Sequence, residues 1–264
     1  MRIIDFHAHA YPDHLAARAL KTLLDSVDRG QAHTDGTVAG LRASMQKNGI
    51  AKSVLLSIAT KPSHVPKIAD ACKAWLAPDI MPFGSLHPAS VTMDEDIRRL
   101  KDCGLRGVKL HPEFQDFHVD DRKVFPMYEA LSAAGLITVF HAGNDPGPFT
   151  SDHGLPPAFK TVHLSFPCLK MVLAHMGGWQ AWDEVDRHTA ALQIFFDTSS
   201  VMQHLPKEAF LKLARKHGTE RILFGSDSPW FEPADDLRWL DSAGLSSDEL
   251  ERILHKNAEA LLGS

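Results

Sequence analysis

Eight short apolar runs punctuate this chain, at 3–9, 53–59, 80–87, 107–111, 137–142, 170–176, 194–198 and 222–227. Each is about strand length and rich in Val, Ile, Leu and Phe, the composition of a buried strand. Between and after them lie stretches with helical spacing at 37–48, 64–76, 92–102, 122–134, 156–165, 180–191, 206–217 and 246–262, with one further turn at 237–240. Strand and helix in strict alternation predict parallel strands joined by crossovers. Eight such units predict an α/β fold of the (β/α)8 TIM-barrel type, distorted, forming one domain over residues 1–264. An open doubly wound sheet is the rival, because counting units does not prove closure.

The punctuation supports this parse. Gly49, Gly104, Gly135 and Gly218 each stand just before a strand, where a left-handed residue ends the preceding helix. Thr92 with Glu95 has the spacing of a capping box, and Ser246 and Ser247 before Asp248 and Glu249 mark the start of the last helix. The run Asp145-Pro146-Gly147-Pro148 reads as a loop between a strand and a helix. The polar stretch 11–36 is the longest insertion, and it reads equally as a lid over the C-terminal end of the first strand or as a plain surface excursion.

The formal net charge is -5, with no Lys/Arg-rich block, so nothing points to nucleic acid or an anionic membrane. No segment approaches the roughly 18 apolar residues of a membrane helix. Cys72, Cys103 and Cys168 are scattered and odd in number, which suggests neither disulfides nor a thiolate metal site and fits a reducing cytoplasm. The expected partner is a small-molecule substrate, and homo-oligomerisation is left open.

Histidine is abundant, with 16 copies, and it collects at strand ends. Strand 1 ends His7-Ala8-His9. With a period of two, Asp5, His7 and His9 share one face, and two imidazoles side by side on a strand are half of a metal site. Later strands end in His87, in Lys109-Leu110-His111, in His141, in His175 before Gly177-Gly178, in Asp197, and in Gly225-Ser226-Asp227. In a barrel, those ends surround the active site. Lys109 and His111 share a strand face and can both point inward. Trp230 and Asn144 follow strand ends and are candidates for substrate contact, as is Asp145.

The ordered set of HxH, a lone His, a second His followed by Gly-Gly, and Gly-Ser-Asp resembles the amidohydrolase superfamily. More narrowly, it resembles the amidohydrolase-2 group, which includes the aminocarboxymuconate semialdehyde decarboxylase-like enzymes. The resemblance spans His7 to Asp227. It implies a distorted barrel with one or two divalent metals. His7, His9, His141 and Asp227 would be the metal ligands, with Asp227 also moving the proton and His175 as its catalytic partner. Lys109, His111 and His175 would serve a second metal or the substrate. One ion is favoured, Zn2+ first, with Mn2+ or another divalent ion as the alternative.

The resemblance implies a metal-dependent hydrolase in which a metal-activated water attacks a C–N or C–O bond of a small carboxylated substrate. The alternative is a non-oxidative decarboxylase on the same site. For that reaction an arginine clamp on the carboxylate is expected, and Arg106 and Arg122 beside strand 4 are not evidently placed to supply it. A third reading, from another class, is a catalytically silent metal-binding barrel.

Overall fold

The computed structural model describes residues 2–26, 31–147, 149 and 152–263. Eight strands follow in chain order: β1 Ile4–Ala8, β2 Lys52–Leu56, β3 Ile80–Ser85, β4 Gly107–Leu110, β5 Ile137–Phe140, β6 Met171–Leu173, β7 Phe195–Asp197 and β8 Ile222–Leu223. Every neighbouring pair is parallel. The chain beyond β8 returns to β1. Phe6 N donates to the Phe224 carbonyl at 2.7 Å, Asp227 N to that of His7 at 2.8 Å and His9 N to that of Ser228 at 2.6 Å. These bonds close the sheet, so the molecule is a (β/α)8 barrel and not an open sheet.

Helices α1 Asp13–Ser26 and α2 Val38–Asn48 join β1 to β2, and α3 Val65–Trp75 and α4 Met93–Asp102 make the next two crossovers. Then come α5 Pro112–Gln115 and α6 Phe125–Ala134 before β5, α7 Pro156–Ser165 before β6, α8 Trp182–His188 before β7 and α9 Lys207–His217 before β8. After β8 follow α10 Pro233–Asp241, α11 Ser247–Glu251 and α12 Asn257–Leu262, the last two joined by a π-helical turn over Arg252–Lys256.

Two apolar layers hold this frame. Inside the barrel, alternate residues from opposite strands meet: Ile4, Phe6, Val54, Leu56, Phe83, Val139, Val172 and Leu223, with Ala258 and Leu262 of α12 in the same cluster. Between sheet and helices lie Leu55, Val108, Phe140 and Leu173 with Leu41, Leu100, Leu131, Phe159 and Phe210. Burial of this kind contributes about 25 cal/mol per Å2 of apolar surface and dominates the favourable side of folding.

Strict alternation fails at one place, and it is functional. The β1–β2 register moves from Asp5↔Ser53 to Ala8↔Leu55, three residues opposite two. This bulge lets Phe6 join the interior cluster while the next residue, His7, lines the cavity above it. Asp5, expected on the same face as the histidines, instead reaches the β8 segment and holds Ser226 through its N–H and its hydroxyl at 3.0 and 2.6 Å.

Helix punctuation follows the sequence closely. Gly49, Gly104, Gly135 and Gly218 all have positive φ. Ser246 and Glu249 form the capping box, but Thr92 does not cap: Ser90 and Thr92 both donate to Asp96 at 2.5 and 3.4 Å. The region 122–134 splits into a 3-10 turn and α6, 180–191 contracts to α8, and 237–240 expands to α10. The insertion 11–36 holds the unforeseen α1, which buries Ala16 and Leu20, one turn apart, and carries Leu23 to the cavity. Residues 27–30 of that insertion, and Pro148 of the loop after β5, lie outside the described residues. Among the described residues, no helix is long and apolar enough to cross a membrane.

Candidate metal centre

A cavity of about 80 Å3 opens at the C-terminal mouth of the barrel. Its floor is ionisable: His7, His9, Lys109, His111, His141, His175 and Asp227. Its walls are largely apolar or aromatic: Tyr11, Leu23, Ile58, Phe114 and Trp230. The structure thus brings together most of the residues singled out from the sequence, from five different strand ends.

The hydrogen bonds fix which imidazole nitrogen is bare. His7 Nδ1 lies 2.8 Å from Asp197 Oδ2, so it carries the proton and leaves Nε2 as a lone pair. His9 Nδ1 donates to the Leu56 carbonyl at 2.9 Å, again leaving Nε2 bare. Both bare nitrogens face Asp227 Oδ1, at 3.6 Å from His7 and 3.2 Å from His9. The donor atoms of His7, His9 and Asp227 all lie within 4.8 Å of one another. Ser200 Oγ donates to Asp227 Oδ2 at 2.5 Å and fixes the carboxylate.

On the other side of the cavity, His141 Nε2 donates to the Asn144 carbonyl at 2.9 Å, and His175 Nδ1 donates to the Ser199 carbonyl at 3.0 Å. The nitrogens left over, His141 Nδ1 and His175 Nε2, are 3.1 Å apart. Facing lone pairs at that distance repel unless a proton or a cation sits among them. The bare nitrogens of His7 and His9 and a carboxylate oxygen of Asp227 converge as donors for a divalent ion, and His141 and His175 bring two more bare nitrogens to the same cavity, so the residues present fit an ion bound by N and O ligands.

The backbone is bent to deliver two of these groups. His175 and Asp227 both adopt left-handed conformations, with φ of 60° and 58°. Such conformations in residues other than glycine cluster at functional sites. Gly225 lets β8 approach β1, because a Cβ there would fall 2.8 Å from His7 Cβ.

Burial sets the charges. It pushes His7 down to about 4 and His111 down to about 3, helped by Lys109 and His141 respectively. His141 and His175 are also lowered, chiefly by burial. These imidazoles are therefore neutral near pH 7, the form a metal needs. Burial alone would raise Asp227, but its close polar contacts with His9, His7 and His175 outweigh that and hold it well below the usual carboxylate range. Lys109 is fully buried, 3.4 Å from His7 Nε2, and burial lowers it to about 8 against the pull of Asp197, Asp227 and Asp145.

Other residues near the strand ends have different settings. Asn144 does not line the cavity. It supplies its carbonyl to His141 and faces a neighbouring cleft with Leu155 and Gln180. His111 stacks on His141, with ring centres 4.2 Å apart, and pairs with Asp145 at 3.3 Å. Glu113 is buried against His153 and away from the cavity. Arg106 bonds the Leu262 carbonyl near the C-terminus, far from the mouth. Asp197 and Ser199 were visible only as polar residues ending strand 7, and Ser200 beyond them was missed. Asp197 sits two residues after Phe195, and that period of two was the signal that it points inward.

The fold and this His/Asp cluster define a barrel enzyme of the metal-dependent class. The chain belongs to the amidohydrolase family: the Amidohydro_2 family model, described as "Amidohydrolase", matches residues 4–264. No curated protein matches the chain. Among solved structures, an uncharacterised TIM-barrel protein from Bordetella bronchiseptica is 24% identical with a TM-score of 0.76, covering 100% of this chain and 99% of that one. A 5-carboxyvanillate decarboxylase from Sphingomonas paucimobilis is 18% identical with a TM-score of 0.74, covering 99% of each chain. A dihydroxybenzoic acid decarboxylase from Polaromonas sp. JS666, with bound manganese and the inhibitor 2-nitroresorcinol, is 18% identical with a TM-score of 0.70, covering 99% of this chain and 96% of that one. At these identities the likeness establishes the fold.

Proposed function

We propose that this chain is a metal-dependent decarboxylase that removes CO2 from a small hydroxylated aromatic or enolic acid. The observation that carries this reading is the two-faced cavity, with an ionisable floor and apolar walls. A carboxylate held there exchanges water for a low-dielectric surround that favours neutral CO2. Barrels of this fold that are decarboxylases of hydroxylated benzoic acids support the same chemistry. The missing arginine clamp, which weighed towards hydrolysis, is offset by Lys109, a buried cation lining the cavity.

His7, His9, His141 and Asp227 would hold one divalent ion, of which Mn2+ and Zn2+ both suit the donor set. When bound, that ion draws in the anionic oxygens of the acid and stabilises negative charge as it develops. Asp227, ionised at neutral pH, accepts the proton of the substrate's acidic hydroxyl at a carboxylate oxygen and returns it to the carbon bearing the carboxylate. The bond to the carboxylate carbon then breaks, its electron pair stays on the ring or enol carbon, and CO2 leaves. His175 Nε2 supports the developing charge, and Lys109 Nζ balances the anion. Phe114, Ile58 and Trp230 bound the flat substrate and exclude water.

The test is release of labelled CO2 from carboxyl-labelled 2,6-dihydroxybenzoate and 5-carboxyvanillate by Mn2+-loaded protein. CO2 appearing with the matching phenol supports the reading. No CO2 from either acid, with turnover of lactones or amides, would return the site to hydrolysis.

A further inference from the structure

Beside the metal cavity runs a second, larger hollow of about 430 Å3, between α1, the end of β2 and one face of α3. Its walls are Leu15 and Leu23 of α1, and Ile68, Ala71 and Trp75 of α3. Those three α3 residues recur at helical spacing, so a whole apolar stripe of the helix faces the hollow. Leu15 is 43% exposed and Trp75 only half-buried, although both are large hydrophobes on ordered helices. The two hollows adjoin: His9, Tyr11, Leu23, Ile58 and Phe114 line both. Among the described residues, no carboxylate lines the larger one, while Lys67 and His64 do.

We infer that this groove is the binding site for an apolar tail on the acid whose carboxylate end sits at the metal cavity. The inference rests on the acid reading of that cavity. An ion-binding cavity of about 80 Å3 takes little more than the reacting end of a substrate, and the adjoining surface is largely apolar. An acid with an unbranched or aryl extension fills both, leaving its anionic end at the centre and its tail against Ile68, Ala71 and Trp75. The cationic side chains Lys67 and, when protonated, His64 favour an anion over a cation as it enters. The substrate class is thus an acid with a sizeable hydrophobic substituent, larger than a bare hydroxybenzoate.

The test uses the Mn2+-loaded full chain and the homologous n-alkyl carboxylates from butanoate to decanoate, titrated calorimetrically. Affinity should rise about fourfold for each added methylene, in line with the transfer of a CH2 group out of water. Ala71→Trp fills the groove and should flatten that rise while leaving butanoate binding within about twofold. Leu15→Asp, at an exposed position where folding is safe, should weaken decanoate but not butanoate. Affinity independent of chain length, or an undiminished rise in both variants, overturns the groove assignment. If no acid binds at any length, the acid reading of the cavity fails together with the groove. A clear chain-length rise without CO2 release from any acid leaves the groove standing and removes the decarboxylase reading alone.

Discussion

His7 Nδ1 and Asp197 Oδ2 lie 2.8 Å apart, both fully buried, at the ends of strands that are next-but-one neighbours around the barrel. Asp197 also accepts from His175 N at 3.0 Å and from Ser199 Oγ at 2.5 Å, so one carboxylate orients groups on both sides of the centre. Supports of this kind fix the tautomer of a ligating histidine, and their loss costs about 10–100-fold in metal affinity. Asp197→Asn should weaken Mn2+ or Zn2+ by that amount in chelator competition, with the secondary structure retained by circular dichroism. Unchanged affinity would mean that His7 is not a ligand or is oriented by something else.

Asp227→Asn removes a ligand charge and the proton carrier together. CO2 release should fall by about a thousandfold or more, within the range for positioned acid–base groups, while the melting temperature shifts by only a few degrees. Turnover near that of the parent would contradict the role given to Asp227.

Lys109→Met keeps the length of the buried side chain and deletes its charge. Metal content per chain should stay as it is, and binding of 2,6-dihydroxybenzoate should weaken by about tenfold, a loss of roughly 1.4 kcal/mol. Loss of metal in this variant would instead make Lys109 part of the ion's own support, as a bridging group for a second ion would require.

The metal-free protein should lose stability as the pH falls from 6.5 towards 4. His7 and His217 are pushed down to about 4 and His111 to about 3, all chiefly by burial. In that window the unfolded chain binds more protons than the native state, so stability rises with pH and is lost on acidification. Asp5, raised to about 7 by burial, acts in the opposite sense, losing stability as pH rises through that value. Asp236, raised by burial too, acts with Asp5, but the lowered histidines, His141 and His175 among them, outnumber both, so melting temperatures between pH 4 and 6.5 should climb. A flat or falling profile would show that these imidazoles are not held neutral.

Much of this was legible in the chain. The eight apolar runs gave the strands because buried parallel strands read as continuous hydrophobic stretches. The residues at their ends gave the cavity because barrel topology gathers those ends in one place. What was not legible depends on geometry that periodicity does not encode. The bulge at Phe6-His7 inverted the expected side of Asp5, and no residue type marks it. Helix α1 was hidden because its buried stripe, Ala16 and Leu20, is narrow within a polar segment. Asn144 and Asp145 are adjacent in sequence, yet only Asp145 faces the cavity, because the chain turns between them. The supporting carboxylate of Asp197 could be seen to point inward but not to meet His7, across more than half the chain.

Elemental analysis of the protein as purified, without added metal or chelator, tests the central claim most directly. One divalent ion per chain is the expected result, lost in a double His7→Ala, His9→Ala variant that still folds. No ion in the purified protein, and none taken up when Mn2+ or Zn2+ is supplied, would contradict the metal centre and make the histidine cluster a structural or substrate-binding array.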